Sequence, residues 1–138
     1  MKKILSRLVA LTLVCFISFI GLVGVAASPA AADSLTGNYR QDTLELVELL
    51  RTTINLPKDA PDRTEAQSEA RQKINDFSAR YRRDGSLIKL SSFTTMRTAL
   101  NSLAGHYSSY PNRPVPQKLK DRLELEFKQI EAALRREA

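Results

Sequence analysis

A chain of 138 residues with one cysteine, one histidine, no tryptophan and a formal net charge of +6 offers one domain at most. Without the three basic residues of its start, Lys2, Lys3 and Arg7, the charge falls to +3, too low and too scattered for the dense basic stripe of a nucleic-acid binder. A single thiol excludes a disulfide framework and a cluster of thiolate metal ligands.

The first element is a leader. Lys2, Lys3 and Arg7 precede an apolar stretch from Leu8 to Val25, and "AASPAAADS" follows, with Ala30-Ala31-Ala32 before Asp33. A basic end, an apolar core and an A-x-A site make a secretory signal peptide over residues 1–32, cut between Ala32 and Asp33. An uncleaved anchor is the alternative, because an apolar stretch of this length can span a bilayer. Cys15 lies inside the apolar core, and Thr12-Leu13-Val14 before it lacks the small residue that a lipoprotein signal wants. That argues against lipid attachment through Cys15. The domain over residues 33–138 then has no thiol and is held by its core alone.

Apolar spacing predicts four helices in that domain. After a short polar lead-in over 33–38, the first runs from Tyr39 to about Asn55, with Leu46, Leu50 and Ile54 in one row and Val47 beside it. Pro57 and Pro61 break it. Asp62 and Glu65 have the spacing of a capping box for the second helix, whose stripe is Ala66, Ala70, Ile74, Phe77 and Tyr81, with Asp84-Gly85 as its stop. Ser91 or Ser92 announces the third, with Phe93, Met96, Leu100, Leu103 and Tyr107 on its stripe. Pro116 opens the fourth, with Leu119, Leu123, Phe127, Ile130 and Leu134. Period-two alternation is absent. The expected fold is all-α, an up-down-up-down four-helix bundle.

Residue inventory argues against catalysis. A di-iron bundle site needs four carboxylates and Glu-x-x-His pairs, whereas the one histidine, His106, has Leu103 three residues before it. Glu65 and Glu69 share a helix face without a second acidic cluster, which reads as solvated charge pairing with Lys73. Met96 lies on a core stripe. Ser108 and Ser109 near His106 have no acidic residue to orient the imidazole, and no glycine-bounded nucleophile turn or phosphate loop is present. No catalytic, metal or cofactor residues are expected. A periplasmic four-helix metal or haem protein is the alternative function.

What remains is surface. Arg80, Arg82, Arg83 and Asp84 form a charged corner that complements a helix dipole and can also dock a partner. In "GHYSSYPNRPVP", from Gly105 to Pro116, Tyr107 continues the core stripe. Gly105 costs a helix about 1 kcal/mol against alanine, which predicts a close helix approach. Tyr110 precedes Pro111 and is pushed out of helical conformation. The resulting stiff corner carries Tyr and Arg, the types that dominate interface hot spots. Its chemistry and exposure, and no motif, nominate Tyr110, Asn112 and Arg113 for partner binding, with Arg82, Arg83 and Asp84 as secondary candidates.

The stretches "LTGNYRQDTL" from Leu35, "RYRRDGSL" from Arg80, "LSSFTTMRTALNSLAGHYSSYPNRPVPQKL" from Leu90 and "RLELEFKQIEAAL" from Arg122 resemble the small lumenal photosystem II assembly and repair family. In cyanobacteria it is also called the photosystem II lipoprotein family. The resemblance covers essentially all of residues 33–138. It implies a four-helix bundle without cofactor or catalytic activity, bound transiently to immature photosystem II on the lumenal side of the thylakoid membrane. It further implies contact with a lumenal loop of an inner-antenna chlorophyll-binding subunit, and assistance to the maturing manganese–calcium cluster. Many cyanobacterial members carry a lipidated cysteine at the signal cleavage site; "SPAAADSL" has none. That departure puts membrane tethering in doubt, leaving a monomer held to the membrane through its partner.

Overall fold

The computed structural model describes residues 35–138, which lie within one unit, Asp33–Ala138. The leader assigned to residues 1–32, with Cys15, lies outside the described residues. Among the described residues the chain forms four helices and no strand: α1 (Tyr39–Ile54), α2 (Arg63–Tyr81), α3 (Ser91–Ser109) and α4 (Gln117–Arg136).

Each helix forms where an apolar stripe can be buried. Leu46, Val47, Leu50 and Ile54 of α1, Ala70, Ile74, Phe77 and Tyr81 of α2, Phe93, Met96, Leu100, Leu103 and Tyr107 of α3, and Leu123, Phe127, Ile130 and Leu134 of α4 make one continuous core. Ala66 and Leu119 sit at its margin, half-buried. α3 packs most extensively on α4, α1 on α2, and the ring closes through α1–α4 and α2–α3. Polar contacts fix the directions. Tyr81 at the end of α2 reaches Asp42 at the start of α1. Arg40 donates to the Leu134 carbonyl at the end of α4, 2.7 Å. Arg63 at the start of α2 meets the Asn112 carbonyl just beyond α3, 3.4 Å. Successive helices therefore run up, down, up, down.

The helix ends differ from the sequence expectation in three places. Asp62 is the N-cap residue of α2 but its side chain makes no capping hydrogen bond. The preceding turn, with Arg63 N–H on the Ala60 carbonyl at 3.2 Å, already serves one of the first amides. Neither serine caps α3: Leu90 is its N-cap, and Ser92 is buried with its backbone N–H and hydroxyl both on Glu137 beyond α4. Gly85 does not stop α2, which ends at Tyr81. Among the described glycines only Gly37 has a positive φ, +85°, and the turn after α2 is shaped by Asp84, whose carboxylate accepts from Ser86 N–H at 2.9 Å.

The lead-in proves structural. Asp42 is buried in the first turn of α1, and its carboxylate accepts from Thr36 N–H and Oγ1, each at 2.7 Å, from Gly37 N–H at 3.1 Å and from the Tyr81 hydroxyl. Gly37 supplies the left-handed turn, and a Cβ there would lie 2.7 Å from the Arg80 guanidinium. Asn38 caps α1 by accepting from Gln41 N–H, 3.1 Å. Burial alone raises the Asp42 carboxyl, but the four hydrogen bonds outweigh it and hold it below its ordinary value.

Two tests follow from this core. Phe127 has no exposed surface, so Phe127→Ala is expected to cost about 3–5 kcal/mol in a chemical melt; a loss under about 1 kcal/mol would contradict the packing. A carboxyl depressed by folding stabilises the protein above its unfolded pKa of about 3.9 and loses that contribution as pH falls through the folded value. Asp42→Asn should therefore lower stability at pH 7 by about 1–3 kcal/mol and flatten the acid limb of a stability–pH curve; an unchanged limb would count against the network.

Candidate functional site

α3 is 19 residues long, about 28 Å at 1.5 Å per residue. Arg82, Arg83 and Asp84 precede it, and Tyr110, Asn112 and Arg113 follow it. The two groups of candidate residues lie at opposite ends of the bundle, and the fold does not bring them together.

At the second end, α3 stops where Pro111 removes helical conformation from the residue before it: Tyr110 has φ −137° and ψ 65°. Its N–H still bonds to the His106 carbonyl at 2.8 Å, and Arg113 N–H closes a turn on the Tyr110 carbonyl at 3.1 Å. Tyr110 is 48% exposed and has two close neighbours. The His106 ring centroid is 5.6 Å away, and the Arg113 guanidinium is 5.3 Å from the ring centre. His106 Nε2 also stands 3.3 Å from the Arg113 carbonyl oxygen, which it can serve as an N–H donor. The single histidine thus has a structural partner, and the corner is a small stack of imidazole, phenol and guanidinium. Asn112 is exposed, with its carbonyl held by Arg63. Val115, which anchors the return, is buried.

Gly105 departs from expectation. It is exposed, and a Cβ there would meet nothing within 4 Å, so no helix approaches closely. It lies off the Leu103–Tyr107 stripe. Tyr107 is buried as its position requires, its hydroxyl unpartnered among the described residues, and burial pushes the phenol up to about 12.

At the first end, Arg82 and Arg83 are exposed. Asp84 is committed to its turn: hydrogen bonds from the Ser86 hydroxyl and N–H hold its carboxyl below its ordinary value. It shapes the corner more than it offers charge. At the same end Tyr39, Phe77, Tyr81 and Phe93 pack on one another, with paired ring centroids 4.9–6.2 Å apart, and the Tyr39 hydroxyl lies 2.9 Å from Ser92 Oγ.

One polar feature went unread in the sequence. Arg51 in the last turn of α1 pairs with Glu124 and Glu131 of α4, both at 3.0 Å, and with Glu48 at 3.4 Å. The hydrogen bonds it donates, first to Glu124 and then to Glu131, raise its guanidinium above its ordinary value. Among the described residues no group of three or more His, Cys, Asp or Glu is placed to hold a metal ion.

Comparison with known proteins covers nearly the whole chain. The family model Photosystem II Pbs27 matches residues 3–134. A Thermosynechococcus vestitus (strain NIES-2133 / IAM M-273 / BP-1) protein, Photosystem II assembly factor lipoprotein Psb27, is 68% identical over 104 residues, 75% of this chain and 78% of that one. Photosystem II lipoprotein Psb27 of Synechocystis sp. (strain ATCC 27184 / PCC 6803 / Kazusa) is 54% identical over 139 residues, 99% of this chain and 96% of that one. The solution structure of Psb27 from cyanobacterial photosystem II superposes with a TM-score of 0.71 at 59% identity, covering 75% of this chain and 90% of that one.

The open surroundings of Gly105 give a direct test. Gly105→Ala adds a methyl group that meets no neighbour and removes backbone freedom from the unfolded chain, so it should stabilise the protein by about 1 kcal/mol in thermal or chemical unfolding. Destabilisation would show that the helix needs the glycine.

Proposed function

This chain belongs to the Photosystem II Pbs27 family, and from that premise we propose that it is a non-catalytic photosystem II assembly and repair factor. It docks transiently on immature photosystem II at the lumenal side of the thylakoid membrane, against an inner-antenna chlorophyll-binding subunit, and assists maturation of the oxygen-evolving manganese cluster. The observation that carries the reading is the 68% identity to a protein named as a photosystem II assembly factor. A third relative, 35% identical over 71% of this chain and 57% of its own length, is the Arabidopsis thaliana Photosystem II repair protein PSB27-H1, chloroplastic.

The surface chemistry fits a factor that works by occupancy. A bundle whose core is continuous from end to end presents a fixed shape. Its exposed corner at Tyr110–Arg113 offers a tyrosine and an arginine already stacked on each other, so little side-chain freedom is lost on contact. A factor that has to leave is best served by a small interface with a few such anchors. While bound, it would hold a lumenal loop away from later subunits. No helix among the described residues is long and apolar enough to cross a membrane. Attachment through the partner, as a monomer and without a lipid, is the proposed mode of membrane association.

The reading is tested by capture of photosystem II assembly intermediates with the purified chain. Wild type should retain them, and Tyr110→Ala and Arg113→Ala should each weaken retention by about 5–30-fold, the effect of losing an anchor worth about 1–2 kcal/mol. Unchanged retention by both variants would remove this corner from the interface. Failure of the wild-type chain to retain any intermediate would overturn the function itself.

A further inference from the structure

The two seams that hold α1 and α2 to the other hairpin treat their charges in opposite ways. Along α1–α4, Arg51 is surrounded by Glu48, Glu124 and Glu131, and Arg40 caps the Leu134 carbonyl. Along α2–α3 the helices pack less extensively than α3 does on α4. Two depressions follow one another there. One, of about 250 Å³, is floored by Phe77, Phe93 and Leu100 and edged by Arg82 and Arg97. The next, also about 250 Å³, has Arg71 on its wall and Ser108 opposite. Among the described residues no carboxylate forms an ion pair with Arg71, Arg82 or Arg97.

We propose that the α2–α3 seam is a docking groove for an extended acidic segment of a partner polypeptide. One apolar side chain of the segment sits over Phe77, Phe93 and Leu100, and its carboxylates pair with Arg71, Arg82 and Arg97. The first depression is smaller than the ~300–1,000 Å³ of small-molecule sites and suits a single inserted side chain. From Arg71 to Arg82 the helix rises about 16 Å, the reach of about five extended residues at 3.3 Å each. Three arginines on that path match alternate acidic positions of such a strand, and guanidinium pairs carboxylate bidentately. A flat anionic lipid surface would meet the same arginines but could not fill the recessed floor, whose residues are each at most 5% exposed. That the segment comes from a photosystem II subunit rests on the function proposed above; the preference for an acidic, apolar chain does not.

The experiment places a benzophenone-bearing phenylalanine analogue at Asn101, an exposed residue of the groove wall, and irradiates the chain bound to photosystem II assembly intermediates. The expected adduct is a polypeptide segment with Asp or Glu within two positions of an apolar residue. Combining Arg82→Glu with Arg97→Glu should lower its yield at least about tenfold with an unchanged melting temperature. An adduct to lipid, to a second copy of this chain or to a segment without carboxylates would overturn the proposal, as would an undiminished yield in the double variant. If the wild-type chain does not bind the intermediates, the functional reading fails separately. The groove is then judged by titrating ¹⁵N-labelled protein with acetyl-Asp-Glu-Phe-Asp-Leu-amide at millimolar concentration. Shifts at Phe93, Arg97 and Leu100 that vanish when lysine replaces the acidic residues sustain the groove; no shifts, or equal shifts, overturn it.

Discussion

A carboxylate taken out of water has to be met by donors, and meeting Asp42 organises one end of this bundle. Its position on α1 continues the Leu46–Leu50–Ile54 row toward the first turn, where the helix has amide donors but no partner for an inward-facing acid. The chain supplies four donors by folding the lead-in back through the left-handed Gly37 and by bringing the Tyr81 hydroxyl from α2. An isolated buried carboxylate would cost several kcal/mol; four charge-assisted hydrogen bonds make the same burial tolerable only in this arrangement. Tyr81 is then fixed in place; Tyr39 and Phe77 pack on its ring, and Phe93 packs on Tyr39. Tyr39 passes the constraint to Ser92, and Ser92 to Glu137. All four helices are tied together at this end through polar side chains, with Arg40 on the Leu134 carbonyl as a further link.

The other end has no such knot. Its turn between α3 and α4 is held by backbone bonds, by Arg63 on the Asn112 carbonyl and by the exposed stack of His106, Tyr110 and Arg113. Exposed contacts of that kind are individually worth about 0.5–1 kcal/mol, so this corner opens more easily than the Asp42 end. The contrast along the seams has the same character. Arg51 meets three carboxylates, although at 26% side-chain exposure their contribution is screened and modest. Its larger effect is to fix how α4 lies against α1. In the seam between α2 and α3, no carboxylate among the described residues forms an ion pair with Arg71, Arg82 or Arg97.

The stripes made the bundle legible, because a helix that must bury one face repeats apolar residues every three or four positions and every core residue named from spacing on α3 and α4 lies at or near the core. Helix ends were less legible. A cap depends on where neighbouring turns already place acceptors, and Asp62, Ser91 and Ser92 each have the right chemistry in a position where something else does the work. Asp42 was missed since an acid in a first turn reads as a partner for the helix dipole. The available signal was its place on the apolar row, four residues before Leu46. Gly105 misled because a helical glycine has two readings, close approach or simple tolerance, and only the neighbours of its absent Cβ decide between them. The quoted resemblance placed the family; the separation of the candidate residues onto two ends could have been read from the length of α3 alone.

That separation bears on how a partner can engage the surface. A footprint of standard size buries about 800 Å² on each side, enough to cover one end of the bundle or a strip along one seam, but not both ends and the space between as a broad patch. The α2–α3 seam is the strip that connects them. It starts beside Arg82, one of the residues nominated at the first end, and reaches Ser108, two residues before Tyr110 at the second. A single chain lying along it would touch Arg82 and end close to the Tyr110 corner. Among the described residues no carboxylate forms an ion pair with Arg71, Arg82 or Arg97, so a partner's carboxylates would not first have to displace an internal one. At the Tyr110 corner the guanidinium is already stacked, and a partner has to improve on that contact. If the proposed groove is used, its arginines would add charge pairing along the seam to the contact that the Tyr110 and Arg113 anchors would make at the corner.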